Sequence, residues 1–139
     1  MRDDKENLIV KLTFEFALDI IEFSEELESN RKYAIARQII RSGTSIGANV
    51  REAQNAESRN DFIHKFKIAA KEADETEYFL LLCQFSKGYP FNKELIDKLN
   101  VINKILSKII ASSKGGLISK IDSSSNFQIL KFSNQFYVR

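Results

Sequence analysis

Apolar residues recur every three or four positions along four long stretches of the chain. In the first stretch this spacing is carried by residues such as Leu8, Leu12, Phe16 and Ile20. Residues at this spacing lie on one face of an α-helix and form the stripe that packs against a core. The same pattern returns three more times and therefore predicts four helices, over residues 3–28, 31–55, 60–87 and 92–114.

Short polar or glycine-containing connections separate the predicted helices. Ser29 and Asn30 interrupt the first pattern, Gly88 and Pro90 lie between the third and fourth, and Gly115 follows the last. Helices of this length joined by short connections pack as antiparallel neighbours. We therefore predict an all-α fold, an antiparallel up-down-up-down four-helix bundle that occupies residues 1–114.

The composition changes after the fourth helix. Residues 115–139 are rich in serine and asparagine, with large apolar side chains scattered among them. The sequence leaves three alternatives open for this C-terminal tail: a flexible end, a short strand-like arm, or a segment that docks on a neighbouring subunit.

The first helix carries a second apolar sector beside the one that faces the core. At 100° per residue, Val10, Phe14, Ala17, Leu18 and Ile21 fall together on it. A surface helix ordinarily has one apolar stripe, and a second one marks a contact with another molecule. We expect the first helix to have a partner outside its own bundle.

Two glycines lie within the second helix, at Gly43 and Gly47. A glycine inside a helix costs about 1 kcal/mol relative to alanine, so such a residue usually has a structural reason. The spacing is compatible with a close approach of a neighbouring helix or with a local bend.

Composition places the chain among ordinary globular proteins. It has 139 residues, of which 43% are hydrophobic and 29% charged, and this excludes the disordered and collagen-like classes. The single cysteine, Cys83, allows no internal disulfide and suits a reducing compartment. The sequence has no signal-peptide pattern and no apolar run of about 20 residues. We predict a cytoplasmic location and no membrane partner.

A small net charge of +2 conceals a strong asymmetry. Residues 1–30 carry a net charge of −6 and residues 31–139 a net charge of +8. Arginine and lysine clusters on helices suit phosphate groups, although such faces are as often merely solvated or in contact with another subunit. The predicted nucleic-acid-binding residues are Arg37, Arg41, Arg51, Lys67 and Lys71.

Catalytic and metal-binding patterns are lacking. A di-iron site in a bundle needs two Glu-x-x-His pairs, and the chain has one histidine, in Asp61-x-x-His64. Glu77 falls on an apolar sector, where an ionised carboxylate needs a partner, and Arg37 or Arg41 is the expected one. We predict a protein that is not an enzyme and has no metal or cofactor.

The central part of the chain resembles a known family. Residues 37–53 read Arg-Gln-Ile-Ile-Arg-Ser-Gly-Thr-Ser-Ile-Gly-Ala-Asn-Val-Arg-Glu-Ala. Three short motifs follow: Phe-Ile at residues 62–63, Ile-Ala at residues 68–69 and Glu-Thr-Glu at residues 75–77. This stretch resembles the bacterial four-helix-bundle proteins encoded in intervening sequences of large-subunit ribosomal RNA genes, and it is similar to the accessory protein of diversity-generating retroelements. Gly47 and Ala53 depart from the family pattern, which often has proline and glycine there. The positions that match the motif include Ser45, Asn49, Glu52, Glu75 and Glu77.

The resemblance covers residues 5–113 and carries its own expectations. It implies a ring-shaped homopentamer of bundles, which would bury the second apolar sector of the first helix in every subunit. It implies no enzymatic activity and a presumed contact with RNA or DNA. The alternative is an oligomeric protein-interaction module, such as an accessory to a polymerase or reverse transcriptase.

Overall fold

The computed structural model describes residues 7–114, which form four α-helices and no strand. The predicted start of the first helix at residue 3 and the predicted tail over residues 115–139 lie outside the described residues. The other helix ends fall within two residues of the predicted positions. The helices are α1 (Leu8–Ser29), α2 (Tyr33–Ala53), α3 (Arg59–Phe85) and α4 (Lys93–Lys114).

Polar side chains define several helix ends. Asn7 caps α1, the hydroxyl of Ser58 accepts a hydrogen bond from the Asp61 amide at 3.0 Å, and the Asn92 side chain accepts one from the Glu94 amide at 3.0 Å. Such caps satisfy amides that have no partner within the helix. The helix boundaries are therefore set by local chemistry that is visible in the sequence.

Each helix packs against two others. The packed pairs are α1 with α2, α2 with α3, α3 with α4, and α1 with α4. Within residues 7–114, no Cα atom of α1 lies within 8 Å of a Cα atom of α3, so these two helices occupy opposite corners of the bundle. The largest side chains buried between the helices are Phe16, Ile20, Leu27, Ile39, Ile46, Phe66, Leu80, Leu95, Leu99, Ile102, Ile105 and Leu106.

The two glycines of α2 lie where α1 passes closest. A Cβ atom on Gly43 would lie 2.8 Å from Cγ1 and Cγ2 of Ile20, and one on Gly47 would lie 3.2 Å from the main-chain oxygen of Thr13. Both distances are shorter than ordinary van der Waals contact. Of the two sequence interpretations, the close approach of a neighbouring helix is confirmed.

A buried pair of hydroxyls joins α2 to α3. Thr76 Oγ1 lies 2.9 Å from Ser42 Oγ and 2.7 Å from the carbonyl oxygen of Glu72, and both hydroxyl side chains are buried. Because a hydroxyl has one proton, Thr76 donates to the Glu72 carbonyl and accepts from Ser42. The pair fixes the register of the two helices.

We predict that removal of the Thr76 hydroxyl destabilises the protein more than removal of the Ser42 hydroxyl. Thr76→Val leaves the Ser42 hydroxyl buried without its acceptor and should lower the free energy of unfolding by about 1–3 kcal/mol. Ser42→Ala leaves Thr76 its bond to Glu72 and should cost about 1 kcal/mol. Chemical denaturation of both variants measures the difference, and a larger loss for Ser42→Ala would contradict this assignment of donor and acceptor.

Candidate functional site

The structure leaves all five predicted basic residues exposed, on two adjacent helices. Arg37, Arg41 and Arg51 project from α2, and Lys67 and Lys71 from α3. Because α2 packs against α3, the two groups belong to neighbouring faces of the bundle. We call these five residues the basic face.

Carboxylates surround the guanidinium group of Arg41. Its Nη1 lies 3.4 Å from Glu72 Oε2, its Nη2 contacts Glu75 Oε1, and Gln38 Oε1 is 3.4 Å from Nη2. Two carboxylates give this cluster a net charge of −1. Arg41 is therefore a link between α2 and α3, and the two carboxylates beside it disfavour a further anion at this position.

The predicted pairing of Glu77 with Arg37 or Arg41 is wrong. Glu77 is half-buried, and its Oε2 lies 3.5 Å from Asn103 Nδ2 of α4. Position 77 is about 200° around the helix from position 75, so its side chain faces α4 while that of Glu75 faces α2.

The remaining motif residues act within the bundle. Ser45 Oγ donates to the Arg41 carbonyl at 2.7 Å, and Asn49 Nδ2 donates to the Ser45 carbonyl at 2.9 Å, so both side chains bond to their own helix. Glu52 pairs with Lys65 Nζ of α3 at 3.0 Å. These motif positions stabilise α2 and its contact with α3.

An exposed apolar surface runs along α1. Phe14, Leu18 and Ile21 are 54%, 51% and 39% exposed, and we call these three residues the α1 stripe. Val10, which the sequence assigned to the same sector, is buried, and Ala17 is half-buried. The α1 stripe is the outer part of the predicted second sector.

A second exposed apolar surface lies on α3, and the sequence interpretation missed it. Tyr78, Leu81, Leu82 and Phe85 are exposed, Phe85 to 81%, and we call them the α3 stripe. Their spacing of three, four and seven residues places them on one side of the helix. That spacing was the available signal, but Tyr78, Leu81 and Leu82 lie inside an unbroken apolar run from residue 78 to residue 83.

Two clefts lie beside α1. One, of about 190 Å³, runs between α1 and α2 from Phe14 to Arg51 and continues the α1 stripe. The other, of about 210 Å³, lies between α1 and α4, where Asp19, Glu22, Glu26 and Glu94 surround Lys98. Its acidic lining disfavours phosphate. Lys98 Nζ lies 2.5 Å from Asp19 Oδ2, and this hydrogen bond raises the pKa of Lys98.

The single cysteine, Cys83, and the single histidine, His64, lie 19 positions apart on α3. Burial raises the pKa of the Cys83 thiol to about 11, which keeps it protonated at neutral pH. His64 is exposed on α3. Within residues 7–114, no group of three or more histidine, cysteine or acidic side chains could hold a metal ion. None of the four described helices is long and apolar enough to cross a membrane.

Comparison with known proteins places the fold in a family. The family model described as 23S rRNA-intervening sequence protein matches residues 5–111. A 1.70 Å crystal structure of a protein of unknown function from the S23 ribosomal protein family of Bacteroides thetaiotaomicron is 42% identical and has a TM-score of 0.72. The match covers 77% of this chain and 98% of that one. No curated protein is similar enough to be matched.

Proposed function

Because the chain belongs to the 23S rRNA-intervening sequence protein family, we propose that it is a non-catalytic, homo-oligomeric, cytoplasmic protein that contacts nucleic-acid phosphates. The matched protein from Bacteroides thetaiotaomicron is of unknown function. The proposal therefore depends on the surfaces of this chain. The observation that carries it is the basic face, whose side chains project into solvent from two packed helices.

Phosphate contacts on this face would use Arg37, Arg51, Lys67 and Lys71. Arginine and lysine side chains bind phosphate oxygens with charge-assisted hydrogen bonds. Such contacts position a nucleic acid and carry little sequence information. We therefore propose binding to RNA or DNA with little sequence selectivity, with Arg41 reserved for its ion pairs to α3.

We also propose that the helices run up-down-up-down and that the bundles assemble into a ring-shaped homopentamer. The direction of the helices is supported by contacts at both ends of neighbouring pairs. Asn7 pairs with Gln54 while Ser24 pairs with Ala36, as expected for antiparallel α1 and α2. Glu52 pairs with Lys65 while Ser42 pairs with Thr76, as expected for antiparallel α2 and α3. The exposed α1 and α3 stripes supply apolar surface for assembly.

The two stripes also support a second candidate function. Exposed apolar side chains at helical spacing are typical anchors for another protein's helix. On this alternative the chain is an oligomeric protein-interaction module, such as an accessory to a polymerase, and the basic face is only solvated.

A charge-reversal experiment separates the two functions. Arg37→Glu with Lys71→Glu should weaken binding to a fluorescent single-stranded RNA by at least about 10-fold at low salt, because phosphate contacts dominate affinity. The matched control is Lys93→Glu with Lys114→Glu, which changes net charge equally at exposed positions of α4. It should lower affinity by less than about 3-fold.

Fluorescence anisotropy at several salt concentrations gives the readout. Wild-type affinity should fall steeply as salt rises. Equal losses in both double variants would show that net charge, and not the basic face, attracts RNA. RNA binding that is absent even at low salt would leave the protein-interaction module as the function.

A further inference from the structure

We propose that the α1 stripe of one protomer packs against the α3 stripe of the next, with the two helices parallel. The inference rests on the assembly part of the proposed function and specifies its surfaces and its polarity. The occupant of each stripe is a second copy of the same chain, which carries both surfaces.

The two stripes match in length and chemistry. The ends of each stripe, Phe14 and Ile21 or Tyr78 and Phe85, are seven positions apart, about 10 Å along a helix axis. Both consist of large aromatic and aliphatic side chains that are exposed in the protomer. They lie on helices at opposite corners of the bundle, so one protomer can use both at once with two different neighbours.

Charged residues at the ends of the stripes select the parallel orientation. On α1, Lys11 lies one turn before Phe14 and Glu25 one turn after Ile21. On α3 the order is reversed, with Asp74 one turn before the stripe and Lys87 two residues after it. All four of these side chains are exposed.

A parallel contact brings opposite charges together at both ends. Lys11 then faces Asp74 of the neighbour, and Glu25 faces Lys87 of the neighbour. An antiparallel contact would set Glu25 against Asp74 and Lys11 against Lys87, and like charges across an interface disfavour a pairing.

This contact is heterologous, because it joins two different surfaces. It leaves the α1 stripe free on one end of any open chain of protomers and the α3 stripe free on the other. Repetition of such a contact closes into a ring when the rotation between neighbours permits it. In a ring whose axis runs along the bundles, every α1 points the same way, and the proposed up-down-up-down order makes α3 parallel to α1, so a parallel contact is compatible with such a ring.

Mixing two disabled variants tests the pairing of the stripes. Leu18→Asp removes the α1 surface and Phe85→Asp removes the α3 surface, and both positions are exposed, so circular dichroism should show unchanged folding. Each variant alone should be monomeric by size-exclusion chromatography with light scattering. Their equimolar mixture should form a complex of two protomers and nothing larger, because only one intact α1–α3 contact remains.

The outcomes separate this inference from the proposed function. A monomeric wild type would overturn assembly itself. An oligomeric wild type that survives either substitution alone would overturn only the assignment of the stripes. A mixture that stays monomeric, or that returns to the wild-type size, would also contradict a heterologous contact.

Disulfide trapping tests the polarity. In a parallel contact Phe14 lies opposite Tyr78 of the neighbour, so Phe14→Cys mixed with Tyr78→Cys should cross-link on oxidation. Phe14→Cys mixed with Phe85→Cys is the matched control and should remain uncross-linked. The native Cys83 is buried and does not compete. Cross-linking of the control pair in preference to the first pair would show an antiparallel contact.

Discussion

Ile20→Ala is expected to lower the free energy of unfolding by about 2–5 kcal/mol, the range for truncating a fully buried aliphatic side chain. Ile20 has no solvent exposure and lies against Gly43 of α2. Removal of its outer atoms leaves a cavity that two tightly packed helices cannot close. Chemical denaturation at one fixed protomer concentration measures the loss, since the proposed assembly would make apparent stability depend on concentration.

The effect of Gly43→Ala on the free energy of unfolding should change sign when Ile20 is replaced by alanine. In the wild type, Gly43→Ala places a methyl group 2.8 Å from Ile20 and should destabilise by about 1–3 kcal/mol, despite the better helix propensity of alanine. In the Ile20→Ala background that methyl group enters the cavity and should stabilise. A destabilising effect of equal size in both backgrounds would show that Ile20 is not what excludes a side chain at position 43.

Raising the pH from about 9 to about 11 is expected to remove about 2–3 kcal/mol of stability through Cys83 alone. Burial raises the pKa of this thiol from 9.0 to about 11. Between these two values the unfolded chain has lost the thiol proton and the folded protein still holds it. The unfolded state therefore binds fewer protons, and stability falls as pH rises.

Cys83→Ala is the control that isolates this contribution. The substitution leaves a small cavity that lowers stability by a similar amount at every pH. The comparison therefore uses the slope of the free energy of unfolding against pH between pH 9 and pH 11. The slope should become shallower in the variant. Lysine and tyrosine side chains titrate in both proteins and cancel in the difference. Parallel curves would show that the thiol is not desolvated in the folded protein.

Periodicity and capping chemistry were sufficient to predict the helices. Ser58 and Asn92 are of residue types that favour N-terminal caps, and each accepts a hydrogen bond from an amide of the helix that follows. The glycines of α2 also indicated a close helix contact. Glycine is unfavourable inside a helix, so its presence there points to a packing reason such as the close approach of α1. These features depend on neighbours in sequence or on a single face of one helix.

The partners of Arg41 could not be predicted in the same way. Glu72 and Glu75 lie 31 and 34 residues away in sequence, and their choice over Glu77 depends on how α3 is rotated relative to α2. The α3 stripe was hidden for a different reason. Tyr78, Leu81 and Leu82 belong to a continuous apolar run in which buried and exposed positions look alike, and only packing against α2 and α4 separates them.

Arg37 and Arg51 of the basic face define a minimum length for any nucleic acid that would contact both. Arg37 and Arg51 lie on either side of Arg41 and are separated by 14 residues, about 21 Å along α2. A strand of duplex advances about 3.4 Å per nucleotide, so a duplex that reaches both arginines along this axis needs about six base pairs. If the face binds phosphate, affinity should rise sharply near that length, and mononucleotides should bind as poorly as free phosphate.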